Sequence, residues 1–161
     1  MFENKMDNLK PKHFIRDEEK FQKDRAKMGN FIVEGMQTTG GTDIDWMIEH
    51  RGGFIIMENK SFLSNDEISI AWGQMIAFEK LYERLNVDDK CHFFFFGYDD
   101  DIDYNNQDSN LWYFEMDDWL AKAIKFEKRN NKFYIKRSDM KKITLNEYRE
   151  IMEKYWKEFE N

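Results

Sequence analysis

A mixed α/β fold is what this 161-residue sequence predicts, and three stretches predict it. Residues 43–60 alternate apolar and polar positions on both sides of Arg51-Gly52-Gly53, as two strands joined by a tight turn would. Lys90-Cys91-His92 followed by four phenylalanines, Gly97 and Tyr98 holds a continuous apolar run of strand length, suited to a strand covered on both faces. Two S/T-x-x-E capping patterns, at Ser64…Glu67 and Thr144…Glu147, open stretches whose apolar residues recur every three or four positions. Strands interleaved with amphipathic helices call for a mixed sheet with helices packed on it.

The composition supports a folded domain. Aromatic residues make up 17% of the chain, with 15 Phe and 5 Trp, so core material is plentiful although 35% of residues are charged. One proline and eight glycines without a Ser- or Gln-rich run argue against disorder, and a single domain over 1–161 is the expectation. The one cysteine, Cys91, allows no intramolecular disulfide and no zinc cluster, and beside four phenylalanines it reads as a buried structural thiol. No apolar run approaches the roughly 18 residues of a membrane span, and no signal-peptide core is present. A soluble protein of a reducing cytoplasm, with no membrane partner, is therefore expected.

The hairpin carries the chemistry. If Arg51-Gly52 is a two-residue turn, His50 pairs with Gly53, and the register sets Met47 opposite Ile56, Asp45 opposite Glu58 and Asp43 opposite Lys60. Opposed residues of an antiparallel pair have Cβ atoms roughly 5 Å apart, so Asp45 and Glu58 would repel unless something positive lay between them. A divalent cation removes that conflict, because Mg²⁺ is held by one or two carboxylates together with waters and phosphate oxygens. Strand side chains repeat with period two, so Lys60 falls on the same face as Glu58. A solvated polar face is the plainer alternative for any E-x-K triplet taken alone.

Asp45 with Glu58-Asn59-Lys60 resembles the metal site of the PD-(D/E)XK nuclease superfamily, and the thirteen-residue spacing from Asp45 to Glu58 is similar to that of RecB-like nuclease domains. The proline of the motif is missing: Thr42-Asp43-Ile44-Asp45 stands there, with Asp45 preferred as ligand and Asp43 as second choice. A helix after the E-x-K strand bears Q-x-x-x-Y in these nucleases, and Gln74-Met75-Ile76-Ala77-Phe78 looks like it, with Phe for Tyr. The resemblance implies an αβββαβ restriction-endonuclease-like core over 1–98 and a C-terminal extension over 99–161. It further implies a Mg²⁺- or Mn²⁺-dependent nuclease acting on DNA or RNA, DNA first. Asp45, Glu58, Lys60 and Gln74 would be catalytic; Asp45, Glu58, Asp43 and, from the preceding element, Glu34 would be metal ligands.

The other elements follow in order. Residues 15–28 suit a charged helix, and Asn30–Met36 a strand running into Thr38-Thr39-Gly40-Gly41. From the Ser64 cap a helix should reach Leu85 or Asn86, with Ala71, Met75, Phe78, Leu81, Tyr82 and Leu85 on its apolar face and Gln74 on the same stripe. His92 reads as a packed core histidine with nothing to bring it near the hairpin. The Asp99–Asp108 stretch lacks the glycine and terminal Glu of an EF-hand and reads as a solvated loop. Leu111–Met116 and Lys132–Lys136 suit strands, the latter in a hairpin through Asn130-Asn131, and Asp117 or Asp118 would cap a short helix to Ile124. The last helix, from Thr144 to about Phe159, presents Tyr148, Ile151, Met152, Tyr155 and Trp156 on one face.

The net charge of −7 is unevenly spread. Residues 99–118 hold eight acids and no Lys or Arg, whereas 122–142 hold nine Lys or Arg against two acids. Lys122, Lys125, Lys128, Arg129, Lys132, Lys136 and Arg137 are accordingly candidate phosphate contacts for a nucleic-acid partner. A solvated basic face balancing the acidic loop is the equal alternative. A rival reading from another class is a phage-type inhibitor, working in a host cytoplasm, that keeps a nuclease-like fold and binds a protein partner; a nuclease acting as a homodimer is a third.

Overall fold

The computed structural model describes residues 19, 20, 22–28 and 42–161. The chain divides into two units, Met1–Gly41 and Thr42–Asn161. In the first, the described residues are helical and exposed (α1, at 19, 20 and 22–28), as the charged stretch predicts. Lys23 reaches back one turn to Glu19 at 2.6 Å. The expected strand at 30–36, with Glu34, lies outside the described residues.

The second unit is mixed α/β. Strands β1 (Trp46–His50), β2 (Gly53–Ser61), β4 (Cys91–Tyr98), β5 (Asn110–Glu115) and β8 (Lys141–Thr144) make a five-stranded sheet in the order β1-β2-β4-β5-β8. Only the central β2/β4 pair is parallel; the other neighbours are antiparallel. A smaller antiparallel sheet has the order β3-β7-β6, from Glu67–Ala71, Lys132–Lys136 and Glu127–Arg129. The helices are α2 (Trp72–Leu85), α3 (Met116–Leu120) and α4 (Leu145–Glu158).

The hairpin forms in the expected register. His50 pairs with Gly53 and Met47 with Ile56, the regular ladder ending at Trp46 and Met57. Arg51 and Gly52 have φ of 50° and 78°, the two positive values of the tight turn whose twist matches its strands. Gly53 is needed for a different reason: a Cβ there would stand 2.3 Å from the Phe159 ring, so α4's end closes directly on the backbone.

Alternation along β2 and β4 builds two cores at once. Ile56, Phe93, Phe95 and Phe114 face α2 and pack with Met75, Phe78 and Tyr82. Ile55, Met57, Phe94, Phe96 and Leu111 face the other way, against Tyr148, Ile151, Met152 and Tyr155 of α4. Each fully buried Phe or Ile contributes roughly 1.5–3 kcal/mol, which makes these central strands the main source of stability. Thr144 caps α4 through the Glu147 N–H, with the reciprocal bond from its own N–H to Glu147, as predicted.

Several expectations are corrected. The Ser64…Glu67 capping box does not form: Glu67-Ile68-Ser69-Ile70-Ala71 alternates with period two, and Ile68 and Ile70 are buried opposite Ile135 and Phe133. Helix α2 therefore begins only at Trp72, with Ala71 as an exposed strand residue rather than part of its apolar stripe. Helix α3 starts two or three residues earlier than expected, capped by Glu115 with Asp118 returning the bond, and stops at Leu120 instead of Ile124. Trp156 lies outside the packed face of α4, exposed and stacked on His50 at 3.7 Å. His92 pairs with Ile55 of the hairpin's second arm, although its ring turns to Tyr155 of α4 at 3.5 Å. Strands β3, β6 and β8 were not anticipated, and β5 with β8 continues the sheet across the expected boundary at residue 98.

Candidate active site

Glu58 stands on β2 in a row with Phe95 of β4 and Phe114 of β5, both wholly buried. By its place in the pleat it belongs to the apolar face under α2, and it is 2% exposed. A carboxylate there needs partners. Lys60, two residues on and on the same face, places Nζ 2.6 Å from Glu58 Oε1. Gln74, in the first turn of α2, donates from Nε2 to the same Oε1 at 3.0 Å and accepts from Lys60 Nζ at 3.3 Å. The three side chains thus close a triangle between strand and helix. Glu58 Oε2, by contrast, is buried with no donor among the described residues.

Asp45 precedes the ladder and is exposed. Its Oδ2 accepts the Asn59 N–H at 2.7 Å, which ties it to the strand residue between Glu58 and Lys60. The Glu58 carboxyl is held above the ordinary carboxylate range, chiefly because burial penalises its charged form; Lys60 pulls it back and the negative charge of Asp45 pushes it up. The site therefore combines a buried carboxylate with an empty oxygen, a second carboxylate in electrostatic reach, and an ammonium.

This donor set suits a hard cation. Among the described residues no group of three or more His, Cys, Asp or Glu is gathered as a metal cage. Mg²⁺ does not require one, since it typically takes one or two carboxylates and keeps several waters. Glu58 Oε2 is the kind of orphaned oxygen that such an ion satisfies.

The site residues expected from sequence separate as follows. Asp45, Glu58, Lys60 and Gln74 come together at one end of the hairpin. Asp43 is exposed on the approach to β1, and Glu34 lies outside the described residues. Phe78, at the Tyr position of the Q-x-x-x-Y resemblance, is buried against Phe93 and Phe95 and gives the site nothing polar.

The basic segment is corrected in part. Arg137 grips both carboxylate oxygens of Asp99 at 2.9 and 2.6 Å, reaches Asp66 at 2.7 Å, and stacks over Phe62 and Trp112. Arg129 covers the buried Glu67 at 2.6 Å and lies over Tyr134. Both arginines are committed to holding the small sheet in place. Lys122, Lys125, Lys128, Lys132 and Lys136 remain exposed. Cys91 is 2% exposed and burial pushes its thiol up to about 12, so it is inert as expected. Two exposed aromatics, Trp72 and Phe126, escaped the sequence reading; their interleaving with Lys125 and Lys128 is the signal that was available.

The sequence matches no protein-family model and no curated protein. Among the described residues, no helix is long and apolar enough to cross a membrane.

Proposed function

We propose that the chain is a metal-dependent nuclease of the PD-(D/E)XK type, hydrolysing phosphodiester bonds in DNA or RNA. The observation that carries the reading is the cluster of Glu58, Lys60 and Gln74 beside Asp45, with one buried Glu58 oxygen that no donor among the described residues meets. The hairpin β1-β2 followed by α2 and by β4 parallel to β2 is in keeping with the second half of an αβββαβ core.

In this reading Asp45 and Glu58 hold Mg²⁺ or Mn²⁺. When bound, the ion supplies a water of lowered pKa and offsets charge on the phosphate. Lys60 donates from Nζ to the attacking water or to a phosphate oxygen, where its positive charge counts for more in a partly dry site. Gln74 fixes the rotamers of Glu58 and Lys60 by bonding to both. The Asn59 N–H orients Asp45 without adding charge. Water attacks phosphorus as the bond to the leaving oxygen breaks, and in-line geometry is set by side chains anchored on β2 and α2 rather than on loops.

The test is cleavage of labelled single-stranded and duplex DNA and RNA in Mg²⁺ or Mn²⁺, with EDTA as control. Asp45→Ala, Glu58→Ala and Lys60→Ala should each abolish or cripple cleavage. Full activity in all three variants would refute the reading.

A second reading, a binding protein on this fold, is favoured by strand β1, where Trp46 and Met47 are exposed and which among the described residues pairs only with β2. A stoichiometric protein complex that survives Glu58→Ala and Lys60→Ala, from a protein without nuclease activity, would select it.

A further inference from the structure

Among the described residues most aromatic side chains are packed away; Trp46, Tyr104 and Trp156 are exposed singly, whereas Trp72, 45% exposed, and Phe126, 46% exposed, lie near each other. They belong to one continuous surface. Lys128 of β6 holds its ammonium 4.9 Å from the centre of the Trp72 ring and 5.9 Å from that of Phe133. Phe126 packs edge-on to Phe133 at 5.2 Å and against Trp119 at 4.8 Å. The Trp72 backbone N–H donates to the Asn131 carbonyl in the β6–β7 turn, which ties the start of α2 to the small sheet.

The charge around these rings is positive and without carboxylate partners among the described residues. Lys122, Lys125, Lys128 and Lys132 are exposed, and none enters an ion pair among the described residues. The nearby acids are already engaged: Glu79 accepts the Trp119 indole N–H at 2.6 Å, Glu67 lies under Arg129, and Glu127 stands 3.8 Å from Arg129. Folding alone gives no reason to leave lysines unpaired beside exposed rings in a chain of net charge −7.

We infer that this surface is a binding platform for single-stranded nucleic acid, with Trp72 stacking a base and Lys128 and Lys132 meeting the adjoining phosphates. Bases offer a π-face to the ring whatever their identity, and the backbone supplies the anions that free ammonium groups lack. A duplex keeps its bases stacked on one another and cannot use the indole, so the platform selects single strands. It begins in the helical turn that also carries Gln74. Trp72 opens α2, Gln74 is two residues further on, and at Gly73 between them an added Cβ would meet nothing within 4 Å. A strand can therefore pass close over the first turn of the helix. The inference rests on the nuclease reading for what happens to the bound strand, but not for binding itself.

The experiment is fluorescence anisotropy with labelled dT20, rU20 and a 20-bp duplex in EDTA, so that no cleavage occurs, repeated over a series of salt concentrations. Wild-type protein should bind dT20 or rU20 at least tenfold more tightly than the duplex, and the comparison of the two homopolymers assigns DNA or RNA. Trp72→Ala should weaken binding about tenfold, Trp72→Phe should retain most of it, and Lys128→Gln/Lys132→Gln should lower the salt slope by about 1.4. Lys157→Gln, on α4 and outside the platform, should bind as wild type does. Equal affinity for duplex, or dT20 and rU20 binding indifferent to both Trp72→Ala and the lysine pair in variants with wild-type circular dichroism, overturns the platform. Tight binding without metal-dependent cleavage leaves the platform standing and removes the nuclease reading; cleavage with binding indifferent to Trp72 does the reverse. Saturation of the surface by a protein from solution in place of dT20 and rU20 would count against it.

Discussion

The two faces of the five-stranded sheet are built from the same strands and differ in what they tolerate. On the α4 face β2 contributes Ile55 and Met57, β4 contributes Phe94 and Phe96, and even the Tyr148 hydroxyl is turned inward to donate to the Met57 sulfur at 2.6 Å. On the α2 face the same alternation runs Ile56, Glu58, Lys60, and apolar packing is broken by a carboxylate that is almost fully buried. A fold seeking stability alone would place a Leu or Met at 58, since burying a charge is costly even when it is paired. The contrast teaches that the polar cluster is a local exception imposed on a core that packs well without it.

Disrupting both faces equally should bring the largest loss. Phe95→Ala, from the α2 face, and Phe94→Ala, from the α4 face, should each destabilise by about 3–5 kcal/mol in chemical denaturation, because the rings are 0% and 1% exposed and leave cavities. If only one face mattered, the two would differ widely.

The next effect separates the faces by function. Lys60→Ala should reduce cleavage by roughly 10²–10⁴-fold, as loss of a charge-stabilising or proton-transferring group does. Met57→Leu, one pleat away on the other face, should leave cleavage unchanged.

Acidity sharpens the comparison further. Burial raises the Glu58 pKa, so folding disfavours its charged form relative to the unfolded chain. Its contribution is complete below the unfolded value of about 4.3 and is lost as pH rises through the higher folded value. Glu58→Gln should therefore melt above the metal-free wild type at pH 8, with the gap closing by pH 4. His92 has the opposite dependence. Burial lowers its pKa, so its contribution is present above the unfolded value of about 6.5 and is lost as pH falls through the lower folded value. His92→Phe should flatten the acid limb of the melting profile.

The smallest effect is expected at the rim of the α4 face. Thr144→Ala removes a helix cap and should cost about 1 kcal/mol in denaturant titration.

What the sequence made legible was local. The hairpin register could be read because an Arg-Gly turn fixes parity as far as Trp46 and Met57; the expected pairs Asp45–Glu58 and Asp43–Lys60 lie beyond the ladder, yet Glu58 and Lys60 fall on one face as expected. Helix α4 could be read because its cap and apolar spacing agree. Strand β3 was hidden because Ser64…Glu67 imitates a helix start, while the competing signal, Ile68 and Ile70, is only two residues strong. β6 and β8 span three and four residues, too short for periodicity to register. The commitment of Arg129 and Arg137 was illegible for another reason: their partners Glu67 and Asp99 lie 62 and 38 residues away in sequence, and only the fold joins them.

The unpaired oxygen of Glu58 carries the account, and a Mn²⁺ soak read at the manganese absorption edge tests it directly. An anomalous peak bridging the Asp45 and Glu58 carboxylates, absent in Glu58→Gln crystals, is the predicted result. Well-ordered soaked crystals of wild-type protein without a peak at that position would contradict it.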